Sequence, residues 1–91
     1  MAKLTQKEIT HALTELPHWD HVGITIQRIY QFADFKQAMV FVNKMAVAAE
    51  EMNHHPDIDI RYNKVTVALT SHDSGGVTAR DVKMAKKING L

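Results

Sequence analysis

The spacing of apolar residues changes at Pro56, and this change constrains the fold more than any other feature of the chain. Over residues 35–52, apolar side chains recur every three or four positions, which predicts an amphipathic helix. Over residues 57–69 they alternate with polar side chains, which predicts half-buried strands. Because proline disfavours helical geometry in the residue before it, the helix must end near Asn53 or His54.

The alternating segment after the proline predicts a β-hairpin with Asn63-Lys64 as its two-residue turn. Such a turn pairs Tyr62 with Val65 and sets apolar residues opposite apolar residues along both strands. Continued outward, this register places His55 opposite His72. A slip by one residue would set apolar side chains against polar ones, so the pattern resists it.

Four further elements are predicted outside this helix and hairpin. They are a first helix capped by Thr5 and Glu8 and stopped by Pro17, a brief strand at 18–21, one long strand at 22–32, and a last helix capped by Thr78. Asp34 is the predicted N-cap of the long helix. The order α-β-β-α-β-β-α predicts an α+β fold, with a four-stranded antiparallel sheet and helices packed on one face, in a single domain over residues 1–91.

The long helix carries a wider apolar face than one sheet contact needs. At 91 residues the chain can form only one modest core, so association with a second chain would add buried area. We therefore expect one row of this face, represented by Phe41, Met45 and Met52, to serve a partner chain.

Composition excludes several classes of protein. The net charge is +1 with neutral histidines, and no aromatic residues interleave with Lys83, Lys86 and Lys87, so no nucleic-acid partner is expected. The absence of cysteine excludes disulfides and thiolate chemistry. With no secretory signal and no apolar run near the ~20 residues of a membrane span, we expect a soluble cytoplasmic protein that binds no membrane.

Half of the six histidines, His54, His55 and His72, belong to the helix end and the hairpin. Glu50 precedes His54 by one helical turn, so its carboxylate can touch that imidazole while the helix lasts. A carboxylate neighbour and a helix C-terminus both favour a charged imidazole, so we expect the pKa of His54 to lie near neutral pH. Such an imidazole suits general acid or base catalysis.

Two other interpretations of the histidines stay open on the residues alone. Three imidazoles could ligate zinc, but adjacent side chains diverge in a strand and no HExxH motif is present, so no metal is expected. The histidines could equally be polar surface residues at the junction between a helix and a strand.

A longer motif resembles the signature of the pterin-4a-carbinolamine dehydratases. It consists of Glu50-x3-His54-His55-Pro56, followed by Tyr62, His72 and Asp81. The resemblance extends over nearly the whole chain. It implies the dehydration of 4a-hydroxytetrahydropterin to quinonoid dihydropterin, without metal or cofactor, during tetrahydrobiopterin recycling. An aromatic amino-acid hydroxylase would then be a partner in the pathway.

The resemblance also implies roles for individual residues. His54 and His72 would be the acid and base groups near the 4a-hydroxyl, and the resemblance does not assign which of them is the acid. His55 would bind and orient the pterin, and Glu50 would orient or tune the histidines. The other implied site residues would line or support the pocket: Trp19, Thr70, Ser71 and Asp81. Asn53 departs from the pattern, since some family members carry aspartate there.

The family forms dimers and tetramers, so the resemblance implies a homodimer or homotetramer. Two alternatives to the enzyme follow from it. One is a protein-binding or dimerisation-cofactor module of the same fold, and the other is a pterin-binding protein in molybdenum-cofactor metabolism.

Overall fold

Three α-helices pack on one face of a four-stranded antiparallel sheet in the computed structural model, which describes residues 2–91 and leaves Met1 outside. The element order predicted from the sequence is confirmed. In chain order the elements are α1 Gln6–Leu13, β1 Asp20–Val22, β2 Thr25–Gln31, α2 Phe35–Met52, β3 Asp57–Arg61, β4 Lys64–Leu69, a 3-10 helix His72–Ser74, and α3 Ala79–Asn89.

Strand β4 lies inside the sheet, between β2 and β3, in the order β1-β2-β4-β3. Its alternate residues Val65, Val67 and Leu69 are fully buried in the core beneath the helices. Burial of each such side chain stabilises the fold by roughly 1.5–3 kcal/mol. The last of these residues leads directly into the site described below, so the core fixes the position of that site.

The helix caps confirm the predictions for all three helices. Thr5 and Glu8 form a capping box before α1, and Thr78 forms one with Asp81 before α3, while Asp34 accepts the N–H of Gln37 at the start of α2. The hydrogen bond from the Thr5 N–H lowers the pKa of Glu8 below its usual value. Helix α1 ends at Leu13, four residues before the proline expected to stop it.

The prediction of one long strand over residues 22–32 is wrong. The chain turns at Gly23 and Ile24, so that β1 and β2 form a hairpin with Val22 opposite Thr25. Gly23 has φ +59°, a left-handed conformation that glycine adopts without a steric cost. Val22 and Ile24 are both exposed. Val22 at the end of β1 and Ile24 in the turn continue the apolar alternation of β2, so the two strands look continuous in the sequence.

The predicted register of the second hairpin is also wrong, by two residues. The turn is Tyr62-Asn63, and Ile60 rather than Tyr62 is opposite Val65. A shift of two preserves the face on which each side chain lies, so the apolar pattern fits both registers equally well. The contact that fixes the turn is non-local, because the Asn63 side-chain amide donates to the Phe32 carbonyl at 2.9 Å.

The row of α2 expected to serve a partner chain packs instead in this chain's own core. Met45 is fully buried, and the Phe41 ring lies 4.6 Å from the Tyr30 ring and 5.1 Å from the Phe32 ring. The helix still exposes apolar side chains on its outer face, notably Val40 and Val47.

The turn position predicts how two substitutions at residue 62 should rank. Tyr62 has φ +50°, which asparagine tolerates and β-branched residues resist. We expect Tyr62→Asn to be more stable than Tyr62→Val by about 1 kcal/mol in urea unfolding. If residue 62 were instead a paired strand residue, the ranking would reverse, because valine is a better strand former than asparagine.

Candidate active site

The end of α2 separates two adjacent histidines. Asn53 adopts a left-handed conformation with φ 48°, and the N–H of His54 donates back to the Ala49 carbonyl at 3.1 Å. This is a common way for a helix to end, and asparagine is one of the residues that permits it. The reversal buries the His54 side chain, with 8% of the residue exposed, and leaves His55 on the surface.

His54 is held by a buried carboxylate from α3. Its Nε2 contacts Oδ1 of Asp81, and both groups lie in the protein interior. If the Asp81 carboxylate is ionised it can only accept hydrogen bonds, and the proton of this contact would then lie on Nε2 of His54. The other oxygen, Oδ2, accepts the N–H of Thr78 at 2.8 Å and the hydroxyl of Ser71 at 2.9 Å. Asp81 thus caps α3 and fixes one imidazole at the same time.

Ser71 also organises the loop that carries the third histidine. Its backbone pairs with Gly76 in both directions, at 3.0 and 3.3 Å, and closes a loop that contains the 3-10 helix. Gly75 turns this loop with φ +75°, a left-handed conformation that favours glycine. The imidazole of His72 is exposed at the start of that short helix.

A depression of about 310 Å³ brings the three histidines of the motif together. The residues that line it are Asn53, His54, His55, Thr70, Ser71, His72, Asp73 and Arg80. The meeting of the histidines does not depend on the register predicted for the hairpin, since β3 and β4 pair only as far as Asp57 and Ala68. It arises because the end of α2 and the end of β4 lie side by side.

Glu50 pairs with His55 and not with His54 as expected. Its Oε2 contacts Nε2 of His55, and both side chains are largely exposed. The expected contact requires the helix to continue through His54, whereas it ends at Met52 with Asn53 as its left-handed cap. Exposed pairs of this kind contribute at most about 1 kcal/mol to stability, so the contact mainly sets the orientation of the imidazole.

Trp19 lies apart from the depression, in a cluster at the far end of α3. Its indole N–H donates to Oδ1 of Asn89 at 3.0 Å. The same oxygen accepts from the Tyr30 hydroxyl and from the Arg28 guanidinium, which stacks over the Tyr30 ring. Burial raises the pKa of Tyr30. Asn89 is eight residues beyond Asp81, about 12 Å along the helix, so Trp19 is not a lining residue.

Most of the residues that line the depression could be predicted from the sequence, but two charged lining residues were not predicted. Thr70 and Ser71 line the depression, and Asp81 contacts His54 from the protein interior. Asp73 and Arg80 also line it and pair with each other at 3.0 Å. Their positions directly beside His72 and Asp81 in the chain were the signal that could have identified them.

Three imidazoles, the Asp73 carboxylate and the Arg80 guanidinium are the ionisable side chains that line the depression. Within residues 2–91, no group of three histidine or carboxylate side chains is arranged to hold a metal ion. In the same part of the chain, no helix is both long enough and apolar enough to cross a bilayer.

This geometry defines a small α+β protein with a histidine-lined pocket at the end of its central strand. Residues 2–91 match the model of the family described as Pterin 4 alpha carbinolamine dehydratase, and the chain belongs to that family. The resemblance inferred from the motif is therefore confirmed.

Similar proteins cover nearly the full chain. A protein of Koribacter versatilis is 58% identical over 86 residues, covering 94% of this chain and 92% of its own. One of Sulfurisphaera tokodaii is 50% identical over 91 residues, covering 100% and 98%. Both bear the name "Putative pterin-4-alpha-carbinolamine dehydratase".

Two solved structures share the fold. A crystal structure from Brucella melitensis, described as a transcriptional coactivator/pterin dehydratase, has a TM-score of 0.93 and 40% identity, covering 97% of this chain and 96% of its own. A pterin dehydratase-like RuBisCO assembly factor has a TM-score of 0.66 at 16% identity, covering 79% and 83%, so its likeness concerns the fold alone.

The position of Asp81 predicts a large effect on stability. We expect Asp81→Ala to lower the free energy of unfolding by about 2–3 kcal/mol, because buried donors on Ser71, Thr78 and His54 lose their acceptor. Asp59→Ala is the matched control, since Asp59 is exposed and forms an ion pair with the exposed Arg61, and it should change stability by less than about 0.5 kcal/mol. Equal losses in urea unfolding would contradict the assigned network.

Proposed function

We propose that this protein is a dehydratase that converts 4a-hydroxytetrahydropterin to quinonoid dihydropterin and water by histidine general acid/base catalysis. The observation that carries the proposal is the convergence of His54, His55 and His72 on one depression in a chain of this family. In this reading the enzyme recycles tetrahydrobiopterin after an aromatic amino-acid hydroxylase has formed the 4a-hydroxypterin.

The reaction requires two proton transfers. The hydroxyl on C4a leaves as water when an acid donates a proton to its oxygen, and a base takes the proton from the ring nitrogen as the new carbon–nitrogen double bond forms. Imidazoles perform both steps near neutral pH, each with typical gains of about 10²–10⁴-fold. His54 and His72 are the proposed pair.

The surroundings of the two imidazoles suit these two proton transfers. Asp81 occupies Nε2 of His54, so Nδ1 is the atom that would exchange a proton with the substrate. The carboxylate also stabilises the imidazolium that forms when this histidine accepts a proton. His72 is exposed, so it can reach the leaving hydroxyl and pass its proton to and from water.

His55 and the two hydroxyl residues would hold the ring. Glu50 orients the imidazole of His55 at the rim. Thr70 and Ser71 form the wall at the end of β4, where the Thr70 hydroxyl donates to the Ile24 carbonyl at 2.6 Å and ties the wall to the first hairpin.

The histidine assignment predicts selective losses of activity. His54→Ala and His72→Ala should each lower kcat/KM for dehydration by about 100-fold or more, because each removes one proton-transfer group. His11→Ala is the control, since His11 is exposed on α1 and lies outside the depression. It should retain wild-type activity.

Of the two variants, His72→Ala is the easier to interpret, because His72 is exposed. Removing an exposed imidazole should leave the unfolding midpoint unchanged, whereas His54→Ala removes a partner of buried Asp81 and needs its stability measured alongside. Wild-type kinetics in His72→Ala would contradict its role.

We also propose that the protein is a homo-oligomer. The row Phe41, Met45 and Met52 no longer supports a partner-binding module, since its first two residues are buried in the monomer. The proposal rests instead on the outer face of α2, where Val47 is 61% exposed and Val40 is exposed nearby on the same helix.

A charge on that outer face should weaken the association. Val47→Glu is expected to shift the mass measured by light scattering toward the monomer, because a carboxylate would be desolvated in the interface. Ile29→Glu is the control, since Ile29 is 63% exposed on the opposite face of the sheet. A monomeric wild type, or a mass lowered only by Ile29→Glu, would refute this interface.

A further inference from the structure

Arg80 is a charged lining residue that the proposed proton transfers leave unused. It lies in the first turn of α3, next to the Asp81 that holds His54. It is the one lysine or arginine among the eight residues that line the histidine depression. Because arginine stays protonated at any working pH, Arg80 gives this otherwise titratable site a permanent positive charge.

Only some of the N–H donors of the Arg80 guanidinium have a hydrogen-bond partner among the described residues. Its Nη2 donates to Oδ1 of Asp73 at 3.0 Å, and its side chain is 31% exposed. Its Nε is buried and has no hydrogen-bond partner within residues 2–91. A ligand would meet the exposed part of the guanidinium, whose N–H donors other than the one bonded to Asp73 are suited to an acceptor at the depression.

The contact with Asp73 would determine how the guanidinium is presented. Arginine has five N–H donors in a rigid plane, and one bond to a carboxylate restricts the orientation of that plane. Asp73 itself follows His72 in the 3-10 helix, on the loop closed by Ser71 and Gly76. The same loop therefore carries a proposed proton-transfer group and the group that steadies Arg80.

We infer that Arg80 is a substrate-positioning residue, which donates hydrogen bonds to the carbonyl oxygen of a planar heterocyclic substrate and is itself held by Asp73. The inference rests on the proposed function and extends it. The pyrimidine half of a pterin carries such an exocyclic oxygen, and anchoring it would hold the reacting carbon against His54 and His72. Positioning of this kind mainly affects binding, because the carbonyl oxygen does not leave and gains no proton in the reaction.

The test compares three variants with the wild type by titration with 7,8-dihydrobiopterin and by steady-state dehydration kinetics. Arg80→Met removes the donors but keeps much of the side-chain volume. Arg80→Lys keeps the charge but loses the planar fork. Arg61→Met is the matched control, since Arg61 is an exposed arginine paired with Asp59 on β3, away from the depression.

Arg80→Met should weaken dihydropterin binding by about 10–100-fold and raise KM by a similar factor, with a much smaller change in kcat. The dihydropterin affinity and KM of Arg80→Lys should lie between those of Arg80→Met and the wild type. Those of Arg61→Met should equal the wild-type values. Unfolding midpoints measured on the same samples show whether any loss follows from a change in fold.

Wild-type binding by Arg80→Met, a fall in kcat with KM unchanged, or an equal loss in Arg61→Met would each overturn the inference. These results concern Arg80 alone whenever the wild type is active. If the wild type binds dihydropterin without turnover, the proposed reaction fails and the binding comparison still decides the role of Arg80. If the wild type neither binds nor reacts, both proposals fall together.

Discussion

The contact between His54 and Asp81 connects the fold to the candidate chemistry. Asp81 is fully buried and serves the N-terminus of α3, the hydroxyl of Ser71 and the imidazole of His54 at once. A carboxylate in the interior is tolerable only when its oxygens are hydrogen-bonded, and here both oxygens are. The last helix, the end of the central strand and the end of the long helix therefore meet at one side chain.

This arrangement explains how so small a chain can build a defined pocket. The imidazole does not depend on a flexible loop for its position, because it is fixed between a helix terminus and a buried carboxylate. The exposed groups of the site, His55 with Glu50 and His72 with the loop around it, surround that fixed point. A site of this kind combines one rigid proton-transfer group with others that remain accessible to solvent and substrate.

The features that could be predicted from the sequence alone are those that depend on local chemistry. The three helix caps follow from Thr5, Asp34 and Thr78 with their partners three residues on, and the helix end before Pro56 follows from proline sterics. His54, His55 and His72 do line one depression, although the hairpin register predicted to bring His55 and His72 together is wrong. Each of these predictions needed only neighbouring residues or a spacing already characteristic of a family.

The errors concern contacts that periodicity cannot resolve. A two-residue shift of the hairpin keeps every side chain on its face, and only the non-local bond between Asn63 and Phe32 selects the true turn. Glu50 was assigned to His54 because helical spacing was extended one residue beyond the left-handed Asn53. The burial of Phe41 comes from ring contacts with Tyr30 and Phe32, which lie on a different element, and helical periodicity alone does not show which element covers an apolar face.

The central claim is that the histidine pocket dehydrates a 4a-hydroxypterin. The most direct measurement is stopped-flow absorbance of freshly generated 4a-hydroxytetrahydropterin, with and without the wild-type protein at neutral pH. Quinonoid dihydropterin is expected to appear faster than in buffer, at a rate proportional to the protein concentration. A rate equal to that in buffer at every protein concentration would contradict it.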